Sequence, residues 1–322
     1  MSTPTMRAIS QDRFGGPEVL RPVTVARPVP LPTEVLVRVR AAGINPVDWK
    51  TRAGNGVAGS LGEPPFVLGW DVSGVVEEIG FGVHTLEVGD EVYGMPWFPR
   101  QAGAYAEYVT APARQFTRKP RGLSHHEAAA VPLAGLTAWQ ALTDAAHVTA
   151  GQRVLVHAAA GGVGHLAVQF AKHLGAHVIG TARTVKHDWL AALGADELVD
   201  YTEVRFEDVV RDVDVVIDLV GDGHDHTSTR SLDVLRPGGL LIEVPSGASP
   251  DLVARAQERG VRAASYLVEP DGPALARIAE LIDSGAVTVE VEDVFDLEKA
   301  AEAHRRGQGG RTRGKLVLQV AP

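Results

Sequence analysis

Residues 153–164, Arg-Val-Leu-Val-His-Ala-Ala-Ala-Gly-Gly-Val-Gly, decide the fold of this chain. Val154, Leu155 and Val156 are a short apolar run of the kind that a parallel sheet buries on both faces. Ala159-x-Gly161-x-x-Gly164 follows, and then Leu166, Ala167, Phe170, Ala171 and Leu174 recur at helical spacing. A strand that turns through glycines into a helix is the dinucleotide fingerprint, here with alanine in the first glycine slot. The second glycine lets backbone approach a pyrophosphate, and the third lets helix and strand pack closely. Free N–H groups and the helix dipole favour an anion at that turn. The expected contacts are therefore Ala160, Gly161, Gly162 and Val163.

Outward from this unit the chain alternates strand and helix. Candidate strands are 153–157, 177–181, 197–199, 213–218, 239–244 and 261–266, with Gly175, Gly194 and Gly260 placed as helix stops. That rhythm predicts an α/β fold with a doubly wound parallel sheet. Before about residue 120, short strands broken by Gly and Pro predict an irregular β-rich domain. Ser124-His125-His126-Glu127 opens a helix with a capping box. After about residue 285 the βα rhythm stops: a helix at about 272–284 precedes a strand near 287–294, a helix at 297–306 and a closing strand at 315–320. The chain is expected to return there to its first domain.

An NAD site carries Asp or Glu about 20 residues after the fingerprint, at the end of the second strand. Here that strand ends at Thr181, Ala182 stands in the acidic slot, and Arg183, Thr184 and Lys186 follow. Losing a carboxylate and gaining two cations favours a 2′-phosphate, so the expected cofactor is NADPH. The alternative is that Arg183 and Lys186 are solvated loop charges. Asp218-Leu219-Val220-Gly221 and Val244-Pro245-Ser246-Gly247 end the fourth and fifth strands, where such sheets line their crevice; Val220, Pro245 and Ser246 are candidate contacts.

Composition narrows the class. The net charge of −9 over 322 residues counts against nucleic acid as the main partner. No apolar run spans a bilayer and the N-terminus lacks a signal-peptide core, so a cytoplasmic protein is expected. The absence of cysteine excludes disulfides, thiolate zinc sites and a cysteine nucleophile. His125-His126 and His224-Asp225-His226 lack a third ligand at motif spacing and read as solvated histidines. No Gly-x-Ser-x-Gly elbow or Gly-Lys-Ser/Thr loop occurs.

Five ordered motifs carry a resemblance over nearly the whole length: Ala41–Asp48 (AAGINPVD), Gly69–Gly74 (GWDVSG), Leu136–Leu142 (LTAWQAL), the fingerprint, and Gly314–Leu318 (GKLVL). Together they resemble the medium-chain dehydrogenase/reductase superfamily, in its zinc-free quinone oxidoreductase branch. The resemblance implies a GroES-like catalytic domain (1–125 and 286–322) split around a Rossmann domain (126–285), with the active site in the cleft between them. It also implies a homodimer paired through edge strands, for which Val261–Tyr266 is the expected edge. Aligned with the zinc enzymes of the superfamily, Asn45, Trp70 and Leu133 stand where Cys, His and Cys bind metal, so no metal is expected.

The same resemblance places Asn45 near the nicotinamide, where its neutral amide can orient a carbonyl oxygen; the plainer reading is a turn residue bonding its own backbone. Lys50 matches the lysine of enone reductases, where an ammonium can stabilise an enolate; the plainer reading is an exposed loop lysine. Asp48 reads as a structural partner of the turn. Thr137 is expected near the nicotinamide ribose or as a helix cap, Tyr201 beside the adenosine phosphate, and Arg313 and Lys315 on the cofactor phosphates. The expected activity is NADPH-dependent reduction of quinones or α,β-unsaturated carbonyls. An enoyl-thioester reductase and a non-catalytic NADPH-binding regulator are the alternatives.

Overall fold

A computed structural model describes residues 4–223, 225–244 and 249–321. In chain order its strands are β1 Thr5–Gln11, β2 Arg21–Ala26, β3 Glu34–Ile44, β4 Phe66–Val67, β5 Val72–Ile79, β6 Glu91–Gly94, β7 Tyr108–Pro112 and β8 Phe116–Arg118. They continue as β9 Arg153–Val156, β10 His177–Thr181, β11 Glu197–Val199, β12 Val213–Asp218, β13 Leu235–Glu243, β14 Arg262–Ser265, β15 Val291–Asp296 and β16 Lys315–Gln319. The chain divides into two compact units: Met1–Leu136 with Glu269–Gly285 and Val289–Pro322, and Thr137–Val268 with Ala286–Thr288.

The second unit is a six-stranded parallel sheet in the order β11-β10-β9-β12-β13-β14, as the strand–helix rhythm predicts. The order reverses between β9 and β12, and sheets of this type bind ligands at the carboxyl ends beside such a switch point. Leu155, Ile179, Val216 and Leu241 come from four adjacent strands and pack with Phe206, Leu232, Leu252 and Ala256 in one core. Leu155 is wholly buried at the centre, so Leu155→Ala costs about 2–5 kcal/mol. The fingerprint has the expected form: β9 leads into the helix Gly164–His173. A Cβ on Gly164 would sit 2.3 Å from the Ala158 carbonyl oxygen, so only glycine fits there. Gly175, Gly194 and Gly260 all have positive φ, as helix stops require.

The first unit is built on a seven-stranded sheet, β15-β16-β3-β5-β6-β8 with β7 also on β3, beside a three-stranded sheet β2-β1-β4. Strand β3 is the spine, paired with β16, β5 and β7. Its end meets other backbone closely: a Cβ on Gly43 would lie 2.3 Å from the Ala129 carbonyl oxygen. The boundaries expected at 125/126 and 285/286 are corrected by this packing. The helix His125–Ala129, with the expected Ser124–Glu127 capping box, rests on β3 and β5 and so belongs to the first unit. The helix Gly272–Asp283 packs on β8; Tyr93 donates to the Leu275 carbonyl at 2.7 Å and Asp283 accepts from the Arg121 amide at 2.8 Å. Residues 286–288 stay with the second unit, where Gln169 bonds Thr288 through both ends of its amide.

Candidate functional site

At the carboxyl ends of β9 and β10 a buried histidine sets the fingerprint turn. Ser231 donates its hydroxyl hydrogen to the Thr227 carbonyl at 2.7 Å, so it accepts from His157 Nε2 at 2.9 Å. His157 Nδ1 is then an acceptor, and Thr181 donates to it at 3.1 Å while accepting from the Ala158 amide at 3.3 Å. Burial lowers the imidazole pKa to about 4, so the ring is neutral. Ala158 has φ +49°, a strained value for alanine, and these bonds hold it there. Thr181 therefore supports the loop from beneath, with 3% exposure, while Ala160, Gly161, Gly162 and Val163 form the turn itself.

The loop after β10 carries the cations. Ala182 is buried, and Arg183 Nε is buried without a hydrogen-bond partner among the described residues. Lys186 lies three residues on, partly buried. Asp200, a residue not singled out from sequence, pins this loop. One of its oxygens accepts from the Thr184 amide and hydroxyl, the other from the Thr202 amide and hydroxyl. Those four donors hold its carboxyl well below the usual range. Tyr201 is 53% exposed beside it.

At the ends of β12 and β13, Asp218 and Glu243 stand side by side in register. Asp218 accepts from the Val220 amide at 2.8 Å, the Gly221 amide at 3.1 Å and the Ser228 hydroxyl at 2.5 Å. Val220 thus follows a turn fixed by a buried carboxylate. Pro245 and Ser246, and His224, lie outside the described residues.

The first unit holds a second buried cluster. The Lys315 ammonium, 3% exposed, donates to the Ile44 carbonyl at 2.9 Å and to Asn45 Oδ1, and lies 3.4 Å from Asp71 Oδ2. Asn45 Nδ2 donates to Asp71 at 2.8 Å, and the Leu133 amide donates to its other oxygen at 2.6 Å. Asp48 accepts from the Asn45 amide at 2.6 Å and closes a capping box on the helix Pro46–Arg52. Burial raises the Asp48 carboxyl to about 7 and Asp71 above its ordinary value, and lowers the Lys315 ammonium. Next to Asp48, Tyr105 meets His304 Nε2 at 3.1 Å, and Arg52 donates to His304 Nδ1 at 2.9 Å. Arg52 has no lone pair to offer, so the imidazole proton sits on Nε2 and points at Tyr105.

Several expectations are corrected here. Lys315 does not face solvent phosphates: it is the buried counter-ion of Asp71, because β16 runs beside β3 and delivers it to Asn45. Arg313 is paired with Glu290. Asn45 is 2% exposed and both ends of its amide are engaged, so its first task is structural. Asp48 has the structural role the turn suggested. Thr137 lies inside the helix Pro132–Gln140 and so is no cap. His125 is not a solvated histidine; it bridges Ser73 at 2.8 Å and Glu91 at 3.1 Å. Lys50 is partly buried, and burial lowers its pKa. Asp71, Tyr105, His304 and Glu243 were missed; only Asp71 stood inside a quoted motif.

Two family models match: "Alcohol dehydrogenase GroES-like domain" over residues 31–121 and "Zinc-binding dehydrogenase" over 193–318. The 2-methylene-furan-3-one reductase of Solanum lycopersicum is 35% identical over 98% of this chain and 80% of its own length. The quinone oxidoreductase of Coxiella burnetii superposes with a TM-score of 0.93 at 40% identity, covering 99% of this chain and 100% of that one. The chain belongs to the quinone oxidoreductase branch of the medium-chain dehydrogenases/reductases. Another solved relative, the Escherichia coli quinone oxidoreductase complexed with NADPH, has a TM-score of 0.87 at 30% identity, with 98% and 100% coverage. Like them, this medium-chain reductase joins a β-rich GroES-like unit to a parallel-sheet unit, and the family makes it an oxidoreductase. No helix among the described residues is long and apolar enough to cross a membrane.

Proposed function

We propose that this chain is an NADPH-dependent, zinc-independent reductase of α,β-unsaturated carbonyl compounds or quinones. The observation that carries the cofactor reading is the loop after β10: a buried Ala182 in the acidic slot, then an Arg183 whose buried Nε has no partner among the described residues. That loop fits a 2′-phosphate and the glycine turn a pyrophosphate, with Gly164 letting the helix approach the Ala158 carbonyl where no Cβ has room. When bound, the reduced dinucleotide supplies the hydride. Arg183 and Lys186 would hold its extra phosphate, the 160–163 backbone its pyrophosphate, and Tyr201 and Val220 would flank it.

Zinc does not fit. Leu133 has no donor atom, Trp70 Nε1 donates to the Arg100 carbonyl at 2.6 Å, and the Asn45 amide oxygen takes the Lys315 ammonium. A substrate that accepts hydride without a Lewis acid suits such a site, and the tomato relative is named for reducing an enone. Charge that develops on the substrate oxygen then needs a fixed donor, and Lys50 is the residue we assign to it. Burial keeps its ammonium pKa below that of free lysine, which eases proton release. Asn45, Asp71 and Lys315 hold the helix that carries Lys50.

Assembly is proposed as a homodimer through β14, the edge strand of its sheet, beside a groove of about 390 Å³ lined by Leu240 and Ile242 of β13, Val253, Ala264 and Tyr266. The deciding experiment is NADPH oxidation against a panel of quinones, small enones and enoyl-CoA thioesters, with wild type and Lys50→Met. Turnover on quinones or enones that drops about 100-fold in kcat in the variant, with KM little changed, supports the reading. Turnover confined to thioesters would replace it with a thioester reductase, and tight NADPH binding without turnover would make the chain a regulator.

A further inference from the structure

The carboxyl ends of β12 and β13 hold a proton count that the nucleotide reading does not use. Asp218 Oδ2, Ser228 Oγ and Glu243 Oε1 lie in a row, with Ser228 2.5 Å from the first and 3.3 Å from the second. A serine hydroxyl has one hydrogen, and the short contact to Asp218 takes it. The serine oxygen can then meet Glu243 favourably only as an acceptor, so the carboxyl must bring the second proton. Two backbone amides already donate to Asp218 Oδ1 and the serine hydrogen goes to its Oδ2, so the second proton is assigned to Glu243. Glu243 is 1% exposed, and its Oε2 has no hydrogen-bond partner among the described residues. An ionised carboxylate with one buried, unpartnered oxygen is a costly arrangement; a neutral carboxyl is far less so.

Among the described residues the surroundings offer no other charge balance. Asp218 on β12 and Asp222 in the following turn both raise the Glu243 pKa, behind burial as the main cause, and it reaches about 7. On the helix Thr227–Ser231, Arg230 is committed to Glu207 and Asp225. On the helix Leu252–Glu258, Arg255 pairs with Asp251, and on β14 Arg262 bonds the Gly238 carbonyl. His157 at the end of β9 is neutral.

We propose that Glu243 is a proton-holding positioning residue, which keeps Ser228 and through it the Asp218-anchored Val220–Gly221 turn in the arrangement that binds the dinucleotide. Removing the proton sets two carboxylates on one serine oxygen and pushes the helix Thr227–Ser231 away from the sheet. Because the turn lies beside the switch point, the cost appears as lost nucleotide affinity above neutral pH. The inference rests on the nucleotide reading for its effect on binding, whereas the proton itself is tested without any ligand.

Two measurements on the full chain decide it. Infrared spectra of wild type from pH 5 to 9 should contain a buried protonated-carboxyl stretch that titrates near neutrality and is missing in Glu243→Gln. Calorimetric Kd values for NADPH should weaken toward tenfold per pH unit above about pH 7 in wild type, and stay flat in Glu243→Gln, whose amide keeps a donor for Ser228. The absence of the infrared band, or its survival in Glu243→Gln, overturns the proton assignment. A Kd profile identical in both proteins overturns the link to binding. A chain with the band but no affinity for NADPH at any pH overturns both that link and the nucleotide reading, while leaving the proton in place.

Discussion

The two units bury their carboxylates in opposite ways. In the first, Asp71 and Asp48 share the neighbourhood of one ammonium, Lys315, brought in by a strand 244 residues beyond Asp71. In the second, Asp218 and Glu243 meet with no cation between them, only a serine hydroxyl and, on our reading, a proton. The cations differ too. Lys315 is enclosed by three oxygen partners, while Arg183 has a buried nitrogen with none among the described residues. A closed, charge-compensated cluster is suited to rigidity. A buried carboxylate pair bridged by a serine hydroxyl alone is suited to sensing pH.

The largest effect is expected from Lys315→Met. It leaves Asp71 without its ammonium in a fully buried site, and urea unfolding should find a loss of about 3–5 kcal/mol. A loss below about 1 kcal/mol would mean the ammonium does not compensate the cluster. Next in size, Arg183→Ala removes a charge-assisted bond to phosphate worth about 1.5–3 kcal/mol, so NADPH affinity should fall roughly tenfold to hundredfold while NADH affinity holds. An unchanged NADPH to NADH ratio would return Arg183 to the solvated loop.

The smallest effect concerns pH and stability. Asp48 and Glu243 both have native pKa values raised to about 7, from 3.8 and 4.5. Between their ordinary range and pH 7 the native chain keeps protons that the unfolded chain has released, so these groups make stability fall as pH rises through that window. Denaturation midpoints at pH 5, 6, 7 and 8 should decline, and Glu243→Gln and Asp48→Asn should each remove part of the decline. Equal slopes in all three proteins would contradict the native protonation of these carboxyls.

What the sequence made legible follows from range. The β9 turn, the Ser124–Glu127 capping box, the structural role of Asp48 in its turn and the glycine stops are local chemistry, written within a few residues. The parallel sheet was legible because strand and helix alternate along the chain from β9 onward. Lys315 was misread because a lysine near a chain end is normally exposed, and only the pairing of β16 with β3 buries it. Residues 126–136 and 269–285 were given to the wrong unit for the same reason, since their helices answer to distant strands. Glu243, Tyr105 and His304 carry no motif; their roles arise from partners that spacing along the chain does not reveal.

The most direct test is calorimetric titration of the full chain at pH 6.5 with NADPH and, separately, with NADH. One saturable site per chain is expected, with NADPH bound at least about tenfold more tightly than NADH, the value of one good contact to the 2′-phosphate. Equal affinities, a preference for NADH, or no heat with either nucleotide would contradict it.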